Sequence, residues 1–183
     1  MVYPRRFQMR KIMLTTVSLL ASPFVHAAQD SLTVPFSLVS AEGTGRSIGK
    51  VVVTETAAGL LFTPALKDLP PGAHGFHVHE NPSCDPGEKD GKASAALKAG
   101  GHFDPTQSGK HGGPESGGHE GDLPRIVIGP DGTGTTPVMA PRLKKLAVLE
   151  GHALIIHAGS DNYSDVPKPL GGGGERIACG IAR

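Results

Sequence analysis

Imidazole and carboxylate side chains crowd one stretch of this chain at the spacing of metal ligands. The stretch opens Gly75-Phe76-His77-Val78-His79-Glu80, continues through Gly100-Gly101-His102-Phe103-Asp104-Pro105, and closes on His111, His119 and Asp122. On a strand, residues i and i+2 point to the same side. His77 and His79 should therefore face one point while Phe76 and Val78 face a core. Imidazole suits copper and zinc. Alone, the HxH pair is weak evidence, since paired surface histidines are common. The later residues strengthen it. His102, His111, His119 and Asp122 supply three imidazoles and a carboxylate, a closed tetrahedral set for zinc with no vacancy for a substrate. The peptide between them is mostly Gly, Pro and small polar residues. Such a loop has little to pack on, and a bound ion would anchor it; the bland alternative is a solvated loop with incidental histidines. His157 ends the apolar run Ala153-Leu154-Ile155-Ile156 and suits a further ligand, although by itself it also fits a core histidine. His74 has odd parity relative to His77, and His152 lies five residues from His157. Both are expected to face away from the site.

The elements that would position these residues read as short strands and turns. Leu32 to Val39 alternates with period 2, Val34, Phe36 and Leu38 sharing a face. Pro35 suggests an edge strand or a strand start. Gly43-Thr44-Gly45 reads as a turn, and Ile48 to Glu55 and Gly59 to Pro64 as strands. Pro70-Pro71-Gly72 turns the chain into the histidine stretch. Beyond Asp122 come strands at 125–128 and 133–139, separated by the turn Gly129-Pro130-Asp131-Gly132. Residues 143–149 are ambiguous between helix and strand. A buried strand at 152–157 and a last one at 176–181 complete the chain. The fold expected is all-β: one Greek-key barrel or sandwich of about eight short antiparallel strands. Two long loops, 80–123 and 158–175, are expected to carry function.

Composition agrees. The chain has 183 residues, no Trp, 26 Gly and 16 Pro, which favours a single turn-rich β domain. Residues 1–27 carry Arg5, Arg6, Arg10 and Lys11 ahead of an apolar run, Ile12 to Val25, that ends at Val25-His26-Ala27. That is the pattern of a cleaved export signal, with Met1 or Met9 as start, and the run is too short and too interrupted to span a membrane. Residues 28–183 would be the exported domain, without stable membrane association. Removing four of the 18 basic residues leaves 14 against 17 acidic ones, a charge of about −3. Nothing there suggests a nucleic-acid partner. Two cysteines, Cys84 and Cys179, most simply form one disulfide in an exported protein. Metal ligation by them is the weaker alternative, since neither sits in a CxxC-like cluster. The sequence leaves monomer and homodimer both open.

Five blocks in order give a specific resemblance. Gly75 to Glu80, Gly100 to Pro105, His119-Glu120-Gly121-Asp122-Leu123-Pro124, Ile156-His157-Ala158-Gly159 and Gly174 to Gly180 resemble copper,zinc superoxide dismutase over residues 32–182. The segment Asp161-Asn162-Tyr163-Ser164-Asp165 is similar to the bacterial, periplasmic branch. The resemblance implies one copper and one zinc per subunit. His77, His79 and His157 match copper ligands, His102 the imidazolate shared by both metals, and His111, His119 and Asp122 the remaining zinc ligands. It implies that Asp161 links ligands of the two metals from outside, that Cys84 and Cys179 are bonded, and that Arg176 stands beside the copper. The activity implied is dismutation of superoxide to dioxygen and hydrogen peroxide by a copper redox cycle. Zinc would be structural, and His102 would take and return a proton. Two other classes compete. A metal carrier has no need of an anion-attracting arginine. A zinc hydrolase needs an open coordination position.

Overall fold

The computed structural model describes Met1 and residues 30–183. The expected export segment, residues 1–27, lies outside the described residues, apart from Met1.

Strands β1 (Ser31–Ser40), β2 (Gly43–Glu55) and β3 (Leu60–Leu66) form an antiparallel meander. Next come β4 (Gly72–His74) and β5 (Phe76–His79), then a small hairpin of β6 (Gly87–Lys89) and β7 (Lys92–Ser94). The chain continues with β8 (Ile126–Ile128), β9 (Val138–Ala140), β10 (Ala153–His157) and β11 (Arg176–Ile181). Seven strands make one antiparallel sheet in the order β5-β10-β11-β1-β2-β3-β9, while β4 pairs with β8 and β6 with β7. The large sheet curls into a half-barrel around its apolar face, and the all-β reading holds. Among the described residues no helix is long and apolar enough to cross a membrane.

Alternation builds the core. Val34, Phe36, Val51, Val53, Leu60, Phe62 and Leu66 point inward from β1, β2 and β3. Ile48 falls in a register shift between Phe36 and Ser37, so Ile48 and Val51 both reach the core despite opposite parity. Phe76 is the hub: its ring meets Phe62 edge-on at 5.6 Å and Phe36 at 6.4 Å. The bonded pair Cys84–Cys179 closes a separation of 95 residues. In the chain-entropy account such a closure stabilises by about 4 kcal/mol.

Several expectations are corrected. Strand β1 has neighbours on both sides and Pro35 lies in mid-strand, so it marks neither an edge nor a start. The ladder to β11 spans only Ser37 and Leu38, which spares Pro35 a demand for its missing N–H. The first turn is Ala41-Glu42, with Gly43 already in β2. Of the 133–139 run only Val138 and Met139 are in a strand, which extends to Ala140, and the ambiguous stretch forms a 3-10 helix at Leu146–Leu149. The long 80–123 connection carries the β6–β7 hairpin and a 3-10 turn at Leu97–Ala99. Among the described residues there are eleven strands against the about eight expected, two of them long (β1 and β2), and seven form the main sheet.

Phe76 also joins the core to the strand that bears His77 and His79. Phe76→Ala is expected to lower the free energy of unfolding by about 3–5 kcal/mol, measured by urea denaturation.

Candidate metal centre

Cross-strand register gathers the first histidines. Partners in an antiparallel ladder share a face. Ile155 lies opposite both His77 and Cys179, Ala153 lies opposite His79, and His157 lies opposite Arg176. One face of β5-β10-β11 thus presents His77, His79, His157, Arg176 and Cys179. Leu154 and Ile156 point the other way, into the barrel core.

The long loop is then strapped along the outer edge of β5. Val78 donates its N–H to Gly121 O (2.9 Å) and accepts from Phe103 N (2.8 Å), while Glu80 N–H reaches Gly101 O (3.1 Å). His79 bridges to His102 and His77 to Asp122. The straps cover an edge strand that would otherwise be open. They also need glycine: a Cβ on Gly121 would collide with the Val78 carbonyl.

Hydrogen bonds fix each ring. His79 Nδ1–H donates to Gly100 O (3.1 Å) and His157 Nδ1–H to Gly174 O (3.2 Å). His77 Nε2–H donates to Asp161 Oδ2 (2.8 Å) and His102 Nδ1 faces Asp122 Oδ1 (2.9 Å). A carbonyl or an ionised carboxylate can only accept, so the opposite nitrogen of each neutral ring holds a bare lone pair. Those atoms are His77 Nδ1, His79 Nε2, His102 Nε2 and His157 Nε2, all buried and without a partner. Ligand atoms of these four residues lie within 4.8 Å of one another. Orphaned lone pairs in a dry site are costly, and a soft cation such as copper satisfies all four. The residues fit the ion.

A second group adjoins. Asp122 Oδ1 receives Nδ1 of His102 (2.9 Å), His111 (3.0 Å) and His119 (3.3 Å). This nitrogen and carboxylate set suits zinc. His102 serves both groups, one nitrogen to each. Asp161 ties them from outside, Oδ2 to His77 and Oδ1 to His111 Nε2 (2.9 Å). Gly171, at φ 69°, lies so close that a Cβ would strike the Asp161 carboxylate.

Charge follows from these contacts. Burial would raise Asp122 and Asp161, yet hydrogen bonds from the imidazoles and from backbone N–H groups hold both well below the usual carboxylate range. Burial pushes His77, His79 and His157 down, and His102 down to about 4. For His111 burial acts downward too, but the two carboxylates outweigh it and lift the ring to about 9. Arg176 is half-buried at the rim. Its fork grips Ala96 O (2.5 Å) and Gly100 O (2.6 Å).

The family model described as copper/zinc superoxide dismutase matches residues 47–182. The chain belongs to the copper/zinc superoxide dismutase family. It is 56% identical over 175 residues to copper-zinc superoxide dismutase 2 of Salmonella typhimurium, covering 96% of this chain and 100% of that protein. The solved copper/zinc superoxide dismutase of Brucella abortus matches with a TM-score of 0.83 and 52% identity, over 84% of this chain and 100% of that one. A solution structure described as the monomeric copper, zinc superoxide dismutase of Salmonella enterica matches with a TM-score of 0.77 and 59% identity, over 84% and 100%.

All the site residues read from the sequence of this dismutase-family chain come together in one region. The tight ligand groups are His77, His79, His102 and His157, and His77, His102, His111 and Asp122; His119 falls outside the second despite its approach to Asp122, and His74 and His152 fall outside both, the last two for reasons that parity misses. His74 is on β4, a different strand from His77, and its ring braces His157 O and Pro70 O (2.8 Å each). His152 precedes β10, approaches His79 O (3.0 Å) through Nδ1 and lies against Phe103. Asp165 was legible only as part of a matched segment. Its carboxylate accepts the backbone N–H groups of His111 (2.9 Å) and Leu170 (3.1 Å), pinning the two long loops together.

Chelator-stripped protein should show two opposite pH effects. His102 falls to about 4 when folded, so the unfolded chain binds a proton that the folded site refuses. Stability should therefore decline as pH drops from about 6.5 toward 4. His111 rises to about 9, so its contribution is full below about 6.5 and lost as pH climbs through 9. Urea midpoints across pH check both: His111→Gln should remove the alkaline effect, and His102→Gln should reduce the acid one, which buried His77, His79 and His157 share.

Proposed function

We propose that this protein converts two superoxide ions and two protons to dioxygen and hydrogen peroxide. In this reading His77, His79, His102 and His157 hold copper, and His102, His111, His119 and Asp122 hold zinc. The observation that carries it is the set of four buried, partnerless ring nitrogens next to the Asp122 carboxylate, which Nδ1 of His102, His111 and His119 approach, so that His102 belongs to both sets. Copper, when bound, supplies the one-electron redox chemistry that zinc lacks.

The remaining work belongs to side chains of the chain itself. His102 takes and returns a proton at Nε2, while its Nδ1 stays toward Asp122. Asp161 holds His77 and His111 in register from outside, which fixes their tautomers and ring planes. Arg176 brings a fixed cation to the rim, and its grip on Ala96 O and Gly100 O keeps the guanidinium from swinging away. Gly100 O is also the anchor of His79, so the anion attractor and a metal-holding ring share one carbonyl. Attraction is local, since the exported domain is slightly acidic overall.

Residues 1–27 act as the export signal in this reading, and residues 28–183 work in the periplasm. The disulfide and the relatives of Gram-negative bacteria support that placement. For the assembly a homodimer is proposed. Val127, Val166 and Leu170 are large apolar side chains left exposed, whereas the Salmonella enterica relative is described as monomeric.

Stopped-flow decay of superoxide tests the activity. Protein loaded with copper and zinc should accelerate decay and chelator-stripped protein should not; slow decay with both metals bound would overturn the proposal in favour of metal carriage. Arg176→Ala should slow the loaded enzyme with copper content unchanged, most clearly at low ionic strength, where exposed charges are least screened. Sedimentation equilibrium tests the assembly: twice the subunit mass supports the homodimer, and a single subunit mass overturns it.

A further inference from the structure

His119 is the least enclosed imidazole of the proposed zinc set. Its side chain is 12% exposed, against 1% for His102 and none for His111. Its Nδ1 also stands farthest from Asp122 Oδ1, at 3.3 Å. The other two rings have second holds. His111 Nε2 meets Asp161, and the His102 ring stacks on His77 at 4.0 Å. Among the described residues the His119 ring has no second hydrogen-bond partner and only looser ring contacts, edge-on to His102 at 5.4 Å and tilted to His111 at 6.0 Å, so its place depends strongly on its backbone.

That backbone is gripped on both sides. His119 N–H donates to Lys110 O (2.9 Å). His119 O accepts Asp122 N–H (3.3 Å) and Arg142 Nη1 (3.0 Å), while Arg142 Nη2 donates to Gly118 O (2.9 Å). One planar guanidinium thus spans two successive carbonyls, a geometry that a lysine cannot reproduce. The peptide before His119 is Ser116-Gly117-Gly118. Such a segment has almost no side chain to pack and much backbone freedom to lose. The base of the grip is firm: Arg142 follows β9 directly, between Pro141 and the core residue Leu143, whose carbonyl accepts Leu60 N–H (2.9 Å). Arg142 makes no described contact with His77, His79 or His157.

We propose that Arg142 is a positioning residue for zinc: its fork fixes the Gly118–His119 peptide against the barrel so that His119 meets Asp122. The proposal rests on the reading of His119 as a zinc ligand. Outer contacts that orient a metal ligand typically change affinity by roughly 10–100-fold, and a contact made through the backbone belongs at the lower end. The test is zinc affinity of chelator-stripped protein, by competition with a chromogenic chelator, for wild type, Arg142→Met, Arg142→Lys and His119→Ala. Copper affinity and the melting temperature of each stripped variant are measured alongside. Arg142→Met should weaken zinc about tenfold with copper affinity unchanged, and Arg142→Lys should fall between it and wild type. Wild-type zinc affinity in Arg142→Met overturns the proposal, as does equal weakening of zinc and copper with a lowered melting temperature, which marks a general structural role. If Arg142→Met does not fold, Arg142→Lys decides, since it keeps the stem and one donor: weaker zinc with unchanged copper supports the proposal, and unchanged zinc overturns it. His119→Ala separates the two levels. Lost zinc affinity there beside wild-type affinity in Arg142→Met sinks Arg142 alone; wild-type affinity in His119→Ala sinks the ligand reading and this proposal with it.

Discussion

A neutral imidazole has one N–H and one lone pair, and most of this site is a way of disposing of that pair of functions in a dry place. Each of His77, His79 and His157 gives its N–H to an oxygen of the chain and leaves its lone pair bare toward a common centre. Burial keeps the rings uncharged. A protonated ring would lose its lone pair and repel its neighbours, so the same desolvation that costs stability in the stripped protein makes the rings ready ligands. Asp161 and Asp122 complete the arrangement, since a carboxylate can receive N–H groups from two rings at once and carry the negative charge that a cation balances.

Holding such a site together is difficult because its loops are glycine-rich and polar. The barrel offers one edge, β5, and the chain lays the 100–122 segment along it with main-chain hydrogen bonds. The disulfide fastens the front of that loop to β11. Arg176, also on β11, grips its middle at Ala96 and Gly100. Arg142 grips its far end at Gly118 and His119. Asp165 and Asp161 close it against the second loop. Directed polar contacts at named points replace hydrophobic packing, and the aromatic core beneath, centred on Phe76, supplies the rigid base.

Two positive features have separate uses. Arg176 is half-buried at the rim with its donors committed to carbonyls, so its charge is fixed in place. Arg142 lies behind the zinc set and faces peptide oxygens. The two arginines use the same planar fork on pairs of carbonyls; in the proposed reading one keeps a cation at the mouth and the other holds a ligand.

The sequence by itself determined the inventory. The i, i+2 spacing of His77 and His79 put both on one face because strand geometry is local, and the alternation in β1 to β3 marked the core for the same reason. Ligand types, the paired cysteines and the five matched blocks were legible because they are properties of residues and short spacings. Tertiary structure decided what depends on distance. Pro35 reads as an edge signal, yet β1 is interior, because the β11 ladder happens to bypass it. His74 and His152 are excluded from the site by which strand they occupy and which carbonyl they meet, facts that parity along one strand cannot contain. The bare nitrogens, the shared Gly100 carbonyl and the grip of Arg142 on Gly118 and His119 join residues more than twenty apart. No local pattern records them, because a hydrogen bond across the fold is set by where the backbone passes and leaves no periodic trace in the chain.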